Sequence, residues 1–424
     1  MNSEFTAQHA AQLDAEDPLR GFRSRFTLPA APDGNAAVYF CGHSLGLQPR
    51  SAREIVLQEL DIWAQRGIAG QVEGERAWVE YVRHLKRGLA MLVGAEETEV
   101  VAMNGLTVNL HLMLASFYRP TEERYKILME AGAFASDRHA VASQIAWHRR
   151  DPASTLIELA PRRGEELLRE EDIEATIAAH GRSLALVHWP GVQFRSGQAF
   201  NGKRIVDAAH RVGAIAGFDH AHAIGNIPLR LHADDADYAV WCSYKYLNGG
   251  PGAVGGAFVN ARHFKLARLA GWWGHDLESR FLMAPGFVPA HGADGWQISN
   301  PPILATAPLL ASLALFEEAG TRRLFAKSRQ LTAYLADGIA ARCAQEVTIV
   351  TPRDSGQRGC HLSLRIAGGA ERGQRVFDAL GARGIVGDWR APDVIRVAPV
   401  PLYNTFTEAV AFVAALEAAL ASQR

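Results

Sequence analysis

Short apolar runs alternate with amphipathic stretches between residues 99 and 259, and this alternation constrains the fold more than any other feature. Several runs are followed by a segment of 10–15 residues in which apolar side chains recur every three or four positions, as they do on a helix. Strands that alternate with helices of this length form a largely parallel sheet with helices on both faces. We therefore predict an α/β fold with strands at 99–103, 126–129, 155–159, 184–188, 214–218, 238–242 and 253–259.

The pattern changes after residue 300, where a long helical stretch leads into short strands around a helix at 371–382. This texture is typical of a smaller α+β domain, and 424 residues are enough for two or three structural units. We predict an N-terminal segment (1–65) that packs on the small domain, a large domain (66–305) and a small C-terminal α+β domain (306–424).

Composition excludes several classes of protein. The 44 basic and 45 acidic residues give a net charge of −1, so the chain lacks the basic excess on which nonspecific nucleic-acid binding depends. No run reaches the ~18 apolar residues of a membrane span, and the first residues lack the apolar stretch of a signal peptide. The four cysteines form no CxxC pair. We expect a cytoplasmic protein with reduced thiols and with neither a membrane nor a nucleic-acid partner.

Two predicted strands end in polar residues that suit a cofactor. Asp219 follows the run at 214–218, and Tyr244 and Lys245 follow the run at 238–242 just before a glycine-rich bend. In a parallel sheet these strand ends lie at one edge, where ligands bind. Pyridoxal phosphate requires a lysine that forms a Schiff base and an acid that keeps its ring nitrogen protonated. A buried Asp–Lys ion pair that only joins two loops is the alternative.

Two further turns suit the same cofactor. The turn after the first run leads directly into a helix, so the backbone N–H groups of Leu106 and Thr107 attract an anion such as a phosphate. An ordinary helix start explains them equally. After the second run, Phe134 offers a ring to stack on a flat cofactor and Asp137 offers a carboxylate to its edge. The alternative is a core phenylalanine beside a helix-capping residue.

Arg396 lies within the apolar strand predicted near 394–397. A charged residue in such a strand is rarely buried without a partner. A substrate carboxylate is one such partner, because arginine binds it through two parallel hydrogen bonds. An internal ion pair is the other.

The sixteen histidines include His43 in a turn and His222 close to Asp219, but no ligand spacing such as HExxH is present. We therefore expect no metal site. Trp272 belongs to a tryptophan pair flanked by glycines, a pattern typical of packing or subunit contact.

Nine segments, taken together, identify a family. They are CGHSLGLQP (41–49), MNGLTVNLHL (103–112), AFASDRHAVASQ (133–144), GVQFRSGQ (191–198), GFDHAHAIGN (217–226), WCSYKYLNGGPGAVGGAF (241–258), GWWGH (271–275), ISNPPIL (298–304) and IRVAPVPLYN (395–404). In this order they resemble the kynureninases, pyridoxal-phosphate enzymes related to class V aminotransferases. The resemblance implies fold type I, the aspartate aminotransferase-like fold, with helices on both sides of a mainly parallel sheet and a smaller α+β domain.

The resemblance also implies a role for each matching residue. Lys245 corresponds to the Schiff-base lysine and Asp219 to the partner of the pyridinium nitrogen, while Tyr244 contacts the phosphate and acts in catalysis. The other implied cofactor contacts are Leu106, Thr107, Phe134, Asp137, His222, Trp272 and Asn300. The implied substrate contacts are Arg396 at the α-carboxylate, Asn300, Trp63, Gln71 and His43. Because Trp272 and Asn300 match positions that complete the neighbouring subunit's site, the resemblance implies a homodimer with shared active sites.

The sequence departs from the family pattern at three positions. His43 stands where the family usually has asparagine, and Pro190 stands where relatives can carry a small hydroxyl residue near the phosphate. Gln71 stands where animal members tend to have a histidine that faces the substrate. The last change leaves open which ring-substituted substrate is preferred.

The implied reaction is hydrolysis of the Cβ–Cγ bond of L-kynurenine, or of 3-hydroxy-L-kynurenine, to anthranilate or 3-hydroxyanthranilate and L-alanine. The pathway is tryptophan catabolism or the supply of NAD precursors. An aminotransferase or a cysteine desulfurase of the same fold is an alternative, although Cys360 lacks the mobile loop that a desulfurase needs. A non-catalytic relative that kept the fold is another.

Overall fold

The structure, a computed structural model, describes residues 5–423. The first elements in chain order are α1 (Ala7–Glu16), β1 (Phe26–Thr27), β2 (Val38–Tyr39), β3 (Gln48–Pro49), α2 (Arg50–Arg66) and α3 (Arg83–Val93). α1 packs against the helix that ends the chain, whereas α2 and α3 pack against the helix at 303–319. The N-terminal part therefore contacts elements that are far apart in the sequence.

A strand–helix series follows, as the alternation of apolar runs predicts. Its elements are β4 (Val100–Ala102), α4 (Leu106–Phe117), β5 (Lys126–Glu130), α5 (Ala135–Trp147), α6 (Pro152–Thr155), β6 (Leu156–Leu159), α7 (Glu170–His180), β7 (Leu184–Pro190), α8 (Gly202–Arg211), β8 (Ile215–Asp219), β9 (Tyr238–Trp241) and β10 (Gly256–Val259). Within residues 5–423 these strands form a seven-stranded sheet in the order β4-β10-β9-β8-β7-β5-β6.

The sheet is mainly parallel, so the predicted α/β class is confirmed. β9, β8, β7, β5 and β6 run parallel to one another, whereas β10 is antiparallel to both β9 and β4. The reversal has a physical cause, because residues 242–255 form turns without a crossover helix. A chain that returns to a sheet without such a crossover pairs antiparallel.

The register of β8 and β9 places the predicted chemistry at one edge. Gly217 pairs with Tyr238 and Asp219 pairs with Val240 in parallel strands, so both strands end at the same side. A Cβ on Gly217 would lie 2.0 Å from the Tyr238 ring, which explains the glycine in this strand. Asp219 and the loop with Lys245 therefore start from adjacent strand ends.

The C-terminal part forms a second, smaller layered unit. Its elements are α9 (Leu277–Arg280), α10 (Ile303–Ala319), α11 (Thr321–Cys343), β11 (Val347–Ile349), β12 (Leu362–Ile366), α12 (Ala370–Gly381), β13 (Ile385–Val386), β14 (Asp388–Arg390), β15 (Val394–Val397) and α13 (Phe406–Ser422). β11, β12, β15 and β14 form an antiparallel sheet in that order. Thr405 and Glu408 begin α13 with a capping box, which satisfies otherwise unpaired N–H groups.

The N-terminal segment also joins this smaller unit. β2 pairs in parallel with β13, and Cys41 forms a bridge with Ala398 just after β15. The division at residues 65 and 305 stays a prediction. Among residues 5–423, no single helix is both long and apolar enough to cross a membrane; α10 and α11 meet the two criteria only as a pair, across a bend of 85°.

Candidate active site

A pocket opens at the carboxyl ends of β5, β7 and β8, where the sequence predicts a cofactor. Eight of the predicted residues line it together: Leu106, Thr107, Phe134, Asp137, Asp219, His222, Tyr244 and Lys245. They come from four separate segments of the chain, so the tertiary fold assembles the site. Pro190, one of the three departures, also lines the pocket.

Lys245 is held from below by the N-terminal turn. The Gly46 N–H donates to the Tyr244 carbonyl oxygen at 2.8 Å, and a Cβ on Gly46 would lie 2.3 Å from the Lys245 carbonyl oxygen. Only glycine allows this close approach of two backbones. The Lys245 Nζ lies 5.9 Å from the centre of the Phe134 ring and 5.8 Å from that of Tyr244. The turn therefore fixes the backbone of Lys245 while its amine faces the pocket.

Asp219 and Asp137 place two carboxyl groups side by side at the base of the pocket. Burial and the neighbouring Asp137 carboxyl raise the pKa of Asp219 well above its usual value. Burial raises the pKa of Asp137 to about 6. Asp137 Oδ1 is buried without a hydrogen-bond partner. Asp219 accepts a hydrogen bond from the Ala221 N–H at 2.7 Å. Among the described residues, no salt bridge joins Asp219 to Lys245. The pair lacks a cationic N–H donor, which is what a protonated pyridine nitrogen supplies.

The start of α4 meets the needs of a phosphate. The helix has Gly105 as its N-cap residue, and no side chain caps the N–H groups of its first turn. Thr107 Oγ1 lies 2.6 Å from Ser136 Oγ. Free N–H groups and hydroxyls at a helix N-terminus form an anion site. These residues therefore fit the phosphate of pyridoxal phosphate.

Phe134 is half-exposed rather than part of the core. Its ring is 45% exposed, and it contacts the edge of the Phe194 ring at a centroid distance of 5.3 Å and an interplanar angle of 84°. Phe134 is itself the N-cap position of α5, and neither Ser136 nor Asp137 caps this helix. The alternative of a core phenylalanine beside a capping residue is therefore not observed. The open face of the ring suits a flat cofactor.

Arg396 is buried and is paired within the chain. Its side chain is 1% exposed, and its Nη2 lies 2.8 Å from Oδ2 of Asp388 on the neighbouring strand. Although burial opposes it, hydrogen bonding to Arg396 holds the pKa of Asp388 below its usual value. The internal ion pair weighed from the sequence is therefore present, and a substrate carboxylate would meet a guanidinium that already has a counter-ion.

His43 is buried and is stacked on His361. The two rings are 5.1 Å apart at 15°, and both nitrogens of His43 are buried without a partner. Burial and the nearby Arg396 lower the pKa of His43 well below 6.5, and burial and Lys245 do the same for His222. Both imidazoles are therefore neutral at physiological pH.

One group of side chains has the composition of a metal site. Ligand atoms of Cys41, His43 and Asp388 lie within 4.8 Å of one another. The Asp388 carboxylate is already engaged by Arg396 and by the Ser44 hydroxyl. A cation would have to compete with that guanidinium, so the absence of a metal site stays our prediction.

Six predicted residues do not line this pocket, and two of them, His43 and Arg396, are the buried residues described above. Trp63 is 62% exposed, Trp272 is 44% exposed, Asn300 is exposed and Gln71 is half-buried. None of them is among the residues that surround Lys245 in the described chain.

Sequence reasoning missed several residues of the pocket. Glu130 ends β5, and burial raises its pKa to about 8. His188 lies near the end of β7, with its Nε2 3.8 Å from Asp137 Oδ2, and burial lowers its pKa to about 4. Phe194 lies in the loop after β7. Glu130 and His188 lie at the carboxyl ends of parallel strands, where ligands bind, and this position could have predicted both from the sequence.

Cys360 does not have the surroundings of a catalytic nucleophile. It is fully buried, its backbone N–H donates to Asn226 Oδ1 at 2.9 Å, and burial raises its pKa to about 12. A reactive cysteine is accessible and has a lowered pKa. The desulfurase alternative is therefore not favoured by the site.

Comparison with solved structures places the fold. The chain superposes on a mutant of the cystine C–S lyase C-DES, which carries glycine covalently linked to its pyridoxal-phosphate cofactor, with a TM-score of 0.75, 18% identity and coverage of 93% of this chain and 98% of that one. It also superposes on the cysteine desulfurase CsdA from Escherichia coli, with a TM-score of 0.73, 19% identity and coverage of 95% and 98%. At these identities the likeness establishes the fold alone.

Comparison with curated sequences is more specific. A kynureninase from Xanthomonas euvesicatoria pv. vesicatoria (strain 85-10) is 56% identical over 420 residues, which cover 99% of each chain. One from Xanthomonas campestris pv. campestris (strain 8004) is 56% identical over 410 residues, or 96% of each. The family model of the kynureninase C-terminal domain matches residues 324–416.

The fold and the lysine–carboxylate pocket define the fold type I class of pyridoxal-phosphate enzymes, as the sequence predicts. Within that class, the identity over nearly the full length is decisive. The chain belongs to the kynureninase family.

Proposed function

We propose that this chain hydrolyses the Cβ–Cγ bond of L-kynurenine, or of its 3-hydroxy derivative, to an aminobenzoate and L-alanine with pyridoxal phosphate as cofactor. The main support for this proposal is that one pocket is lined by Lys245, the Asp219–Asp137 pair and the uncapped start of α4. The chain that forms this pocket is 56% identical to a kynureninase. The pathway is tryptophan catabolism or the supply of NAD precursors.

Each end of the cofactor has residues to hold it. The first turn of α4, Thr107 and Tyr244 hold the phosphate, and Phe134 covers one face of the ring. Asp219 would accept a hydrogen bond from the protonated ring nitrogen, with Asp137 beside it. When bound, pyridoxal phosphate supplies a conjugated cationic ring that accepts the electron pair released at the substrate Cα.

Lys245 and Tyr244 handle the protons of the reaction. Lys245 would hold the cofactor through its Nζ, and the same amine, once free, is placed to remove the proton from the substrate Cα. Burial and the nearby Cys242 raise the pKa of Tyr244, so its phenol stays protonated and can relay a proton to the leaving carbon. Water adds to the γ-carbonyl, and its oxygen leaves with the aminobenzoate.

The substrate lies between Lys245 and the buried guanidinium. Arg396 binds the α-carboxylate, and the neutral His43 and His222 line the path between the two cations. Neutral imidazoles can lie beside the substrate carbonyl without adding further positive charge to the site. The half-exposed ring of Phe134 and the tryptophans Trp63 and Trp272 offer apolar surface for the aromatic part of the substrate.

A homodimer completes the site in this proposal. Large exposed apolar side chains are concentrated in two stretches, 57–72 and 269–288, which include Trp63 and Trp272. Apolar surface of this kind marks a protein interface. Trp272 and Asn300 then contact the cofactor, and Trp63, Gln71 and Asn300 contact the substrate, from the neighbouring subunit. All four cysteines are free and buried, which fits a cytoplasmic enzyme.

A product assay tests the reaction. Purified enzyme loaded with pyridoxal phosphate is given L-kynurenine or 3-hydroxy-L-kynurenine, and the aminobenzoate and alanine are quantified. We expect equal amounts of both products, and the ratio of the two kcat/KM values gives the preference that Gln71 leaves open. Lys245→Ala should lower turnover by at least about 10³-fold and remove the covalently held cofactor, whereas Lys265→Ala, at an exposed lysine, should change neither. A yellow, inactive enzyme would point to another enzyme of the same fold.

Mixing inactive variants tests the shared site. Lys245→Ala and Asn300→Ala homodimers are each expected to be impaired. If Asn300 serves the neighbouring subunit, a hybrid dimer contains one site with both residues intact, and an equilibrated equimolar mixture recovers about a quarter of wild-type sites. No recovery, despite subunit exchange shown by mass spectrometry, would place Asn300 in its own subunit's site.

A further inference from the structure

We propose that Asp388 is a positioning residue for the substrate: it holds the Nε/Nη2 edge of Arg396, so that the Nη1/Nη2 edge faces the α-carboxylate. The inference rests on the proposed function, because it states how the amino acid of that reaction is oriented. Asp388 itself touches neither substrate nor cofactor in this account.

The two residues form a fixed two-point contact. Asp388 on β14 lies directly opposite Arg396 on antiparallel β15. The Arg396 Nε donates to Oδ1 at 3.2 Å, and the Arg396 Nη2 lies 2.8 Å from Oδ2. One hydrogen bond and one ion-pair contact to the two oxygens of the same carboxylate restrict the plane of the guanidinium as well as its position. The sheet thus determines the direction in which Arg396 points.

Further contacts hold the carboxylate of Asp388 in place. The Ser44 hydroxyl donates to Oδ2 at 2.6 Å, and Arg390 Nη2 donates to the same oxygen at 3.2 Å. Ser44 lies in the N-terminal turn that also packs under Lys245. The turn that contains Ser44 and Gly46 therefore contacts both Asp388 and the backbone of Lys245. This one turn also sets the distance between Lys245 and Arg396.

The hydrogen-bond inventory of Arg396 shows which edge remains. A guanidinium has five N–H donors. The Nε and one Nη2 hydrogen face Asp388, one Nη1 hydrogen goes to the Phe194 carbonyl oxygen at 2.7 Å, and the other Nη2 hydrogen goes to the Ser44 hydroxyl at 3.1 Å. The last Nη1 hydrogen has no acceptor within the described chain. A carboxylate can take this hydrogen and the one on Ser44, while Ser44 keeps its bond to Asp388.

The direction of that edge matters because the substrate is tethered. In the loaded enzyme the cofactor would hold the substrate amine at Lys245, which would limit the directions from which the carboxylate can reach Arg396. A free anion such as acetate has no such constraint and turns to suit any exposed N–H groups. Loss of Asp388 should therefore weaken the tethered carboxylate and strengthen free anions, because Arg396 loses both its orientation and its counter-ion.

The experiment uses the loaded enzyme with Asp388→Asn and Asp388→Glu. We expect the KM for L-kynurenine to rise about tenfold in each variant with kcat changed by less than about threefold, and acetate to inhibit Asp388→Asn at about tenfold lower concentration than wild type. Asp393→Asn is the matched control. Asp393 pairs with Arg195 and Arg365 beside the same strands but does not contact Arg396, so its kinetics should stay at wild-type values.

Other outcomes would overturn the proposal. A lower KM in Asp388→Asn would mean that Asp388 competes with the substrate for Arg396, and an equal fall in kcat and kcat/KM would mean that it acts on the chemical step. If the variants fold poorly in thermal unfolding, Ser44→Ala removes an anchor of Asp388 without removing charge, and its KM should rise with kcat retained. If wild type makes no product, the proposed function fails, while titration of the cofactor absorbance with L-alanine still tests Asp388: unchanged affinity in both variants would refute its role.

Discussion

Thr107 Oγ1 lies 2.6 Å from Ser136 Oγ, so the first turn of α4 is joined to the first turn of α5. One hydroxyl donates to the other, and the second hydroxyl keeps its hydrogen for a ligand. The contact connects the segment that we propose binds the phosphate with the segment that carries Phe134, the proposed stacking ring. The two parts of the cofactor pocket therefore hold each other in position.

Removing the Thr107 hydroxyl should weaken cofactor binding. Thr107→Val keeps the shape of the side chain but loses both the contact to Ser136 and a donor to the phosphate, so the Kd for pyridoxal phosphate should rise about tenfold, which corresponds to about 1.4 kcal/mol. Thr107→Ser keeps the hydroxyl and serves as the control. The measurement is a titration of the apoenzyme followed by visible absorbance, and equal affinity of the valine variant and wild type would refute the role.

Neutralising Asp219 should impair chemistry more than binding. Asp219→Asn cannot stabilise a protonated ring nitrogen, so kcat should fall roughly a hundredfold or more while the cofactor still binds. Asp207→Asn, at a surface carboxylate paired with Lys203, should behave as wild type. Steady-state kinetics at saturating cofactor measure the effect. A kcat within threefold of wild type would assign the nitrogen to another partner.

Glu130 should make the apoprotein less stable as the pH rises. Burial raises its pKa to about 8 in the folded chain, against 4.5 for the unfolded one. Between these values the folded state holds a proton that the unfolded state has released, so the free energy of unfolding falls as pH increases through this window. Urea unfolding of the apoprotein from pH 5 to 8.5 should show this slope, and Glu130→Gln should make it shallower. Identical slopes would contradict the raised pKa.

A methyl group at residue 46 should disturb the lysine. In Gly46→Ala the new Cβ meets the Lys245 carbonyl oxygen and Asn248 Oδ1, both at 2.3 Å, so the turn and the lysine backbone must move apart. Overpacking of this kind costs about 1–3 kcal/mol. We expect a lower Tm and weaker cofactor binding. Gly21→Ala, where a Cβ meets nothing within 4 Å, is the control in the same N-terminal part of the chain.

The strand–helix alternation and the ends of its strands could be predicted from sequence because both depend on local patterns. Asp219 and Lys245 follow apolar runs, and the parallel register of β8 and β9 brings them to one edge as expected. The direction of β10 was not predictable in the same way, since an apolar strand looks alike in either direction. Its reversal follows from the turns at 242–255, which lack a crossover helix.

The partner of Arg396 illustrates what local patterns omit. The sequence was compatible with either a substrate carboxylate or an internal acid as the partner of Arg396. Only the register between β14 and β15 identifies that acid as Asp388. The same holds for His43 and His361, whose stacked rings come from opposite ends of the chain. The roles of four residues stay predictions: Trp63, Gln71, Trp272 and Asn300. The contacts within a single chain do not test a site that is shared between subunits.

The bond between Ser44 and Asp388 joins residues 344 positions apart. The consequence concerns evolution. The residues at these two ends of the chain must remain compatible with each other, although Lys245 lies in neither end. A chimaera that takes its first fifty codons from one relative and the remainder from another separates the two partners. Substitutions at one end are therefore tolerated only together with those at the other, and covariation between the termini should be stronger in this family than their separation along the chain implies.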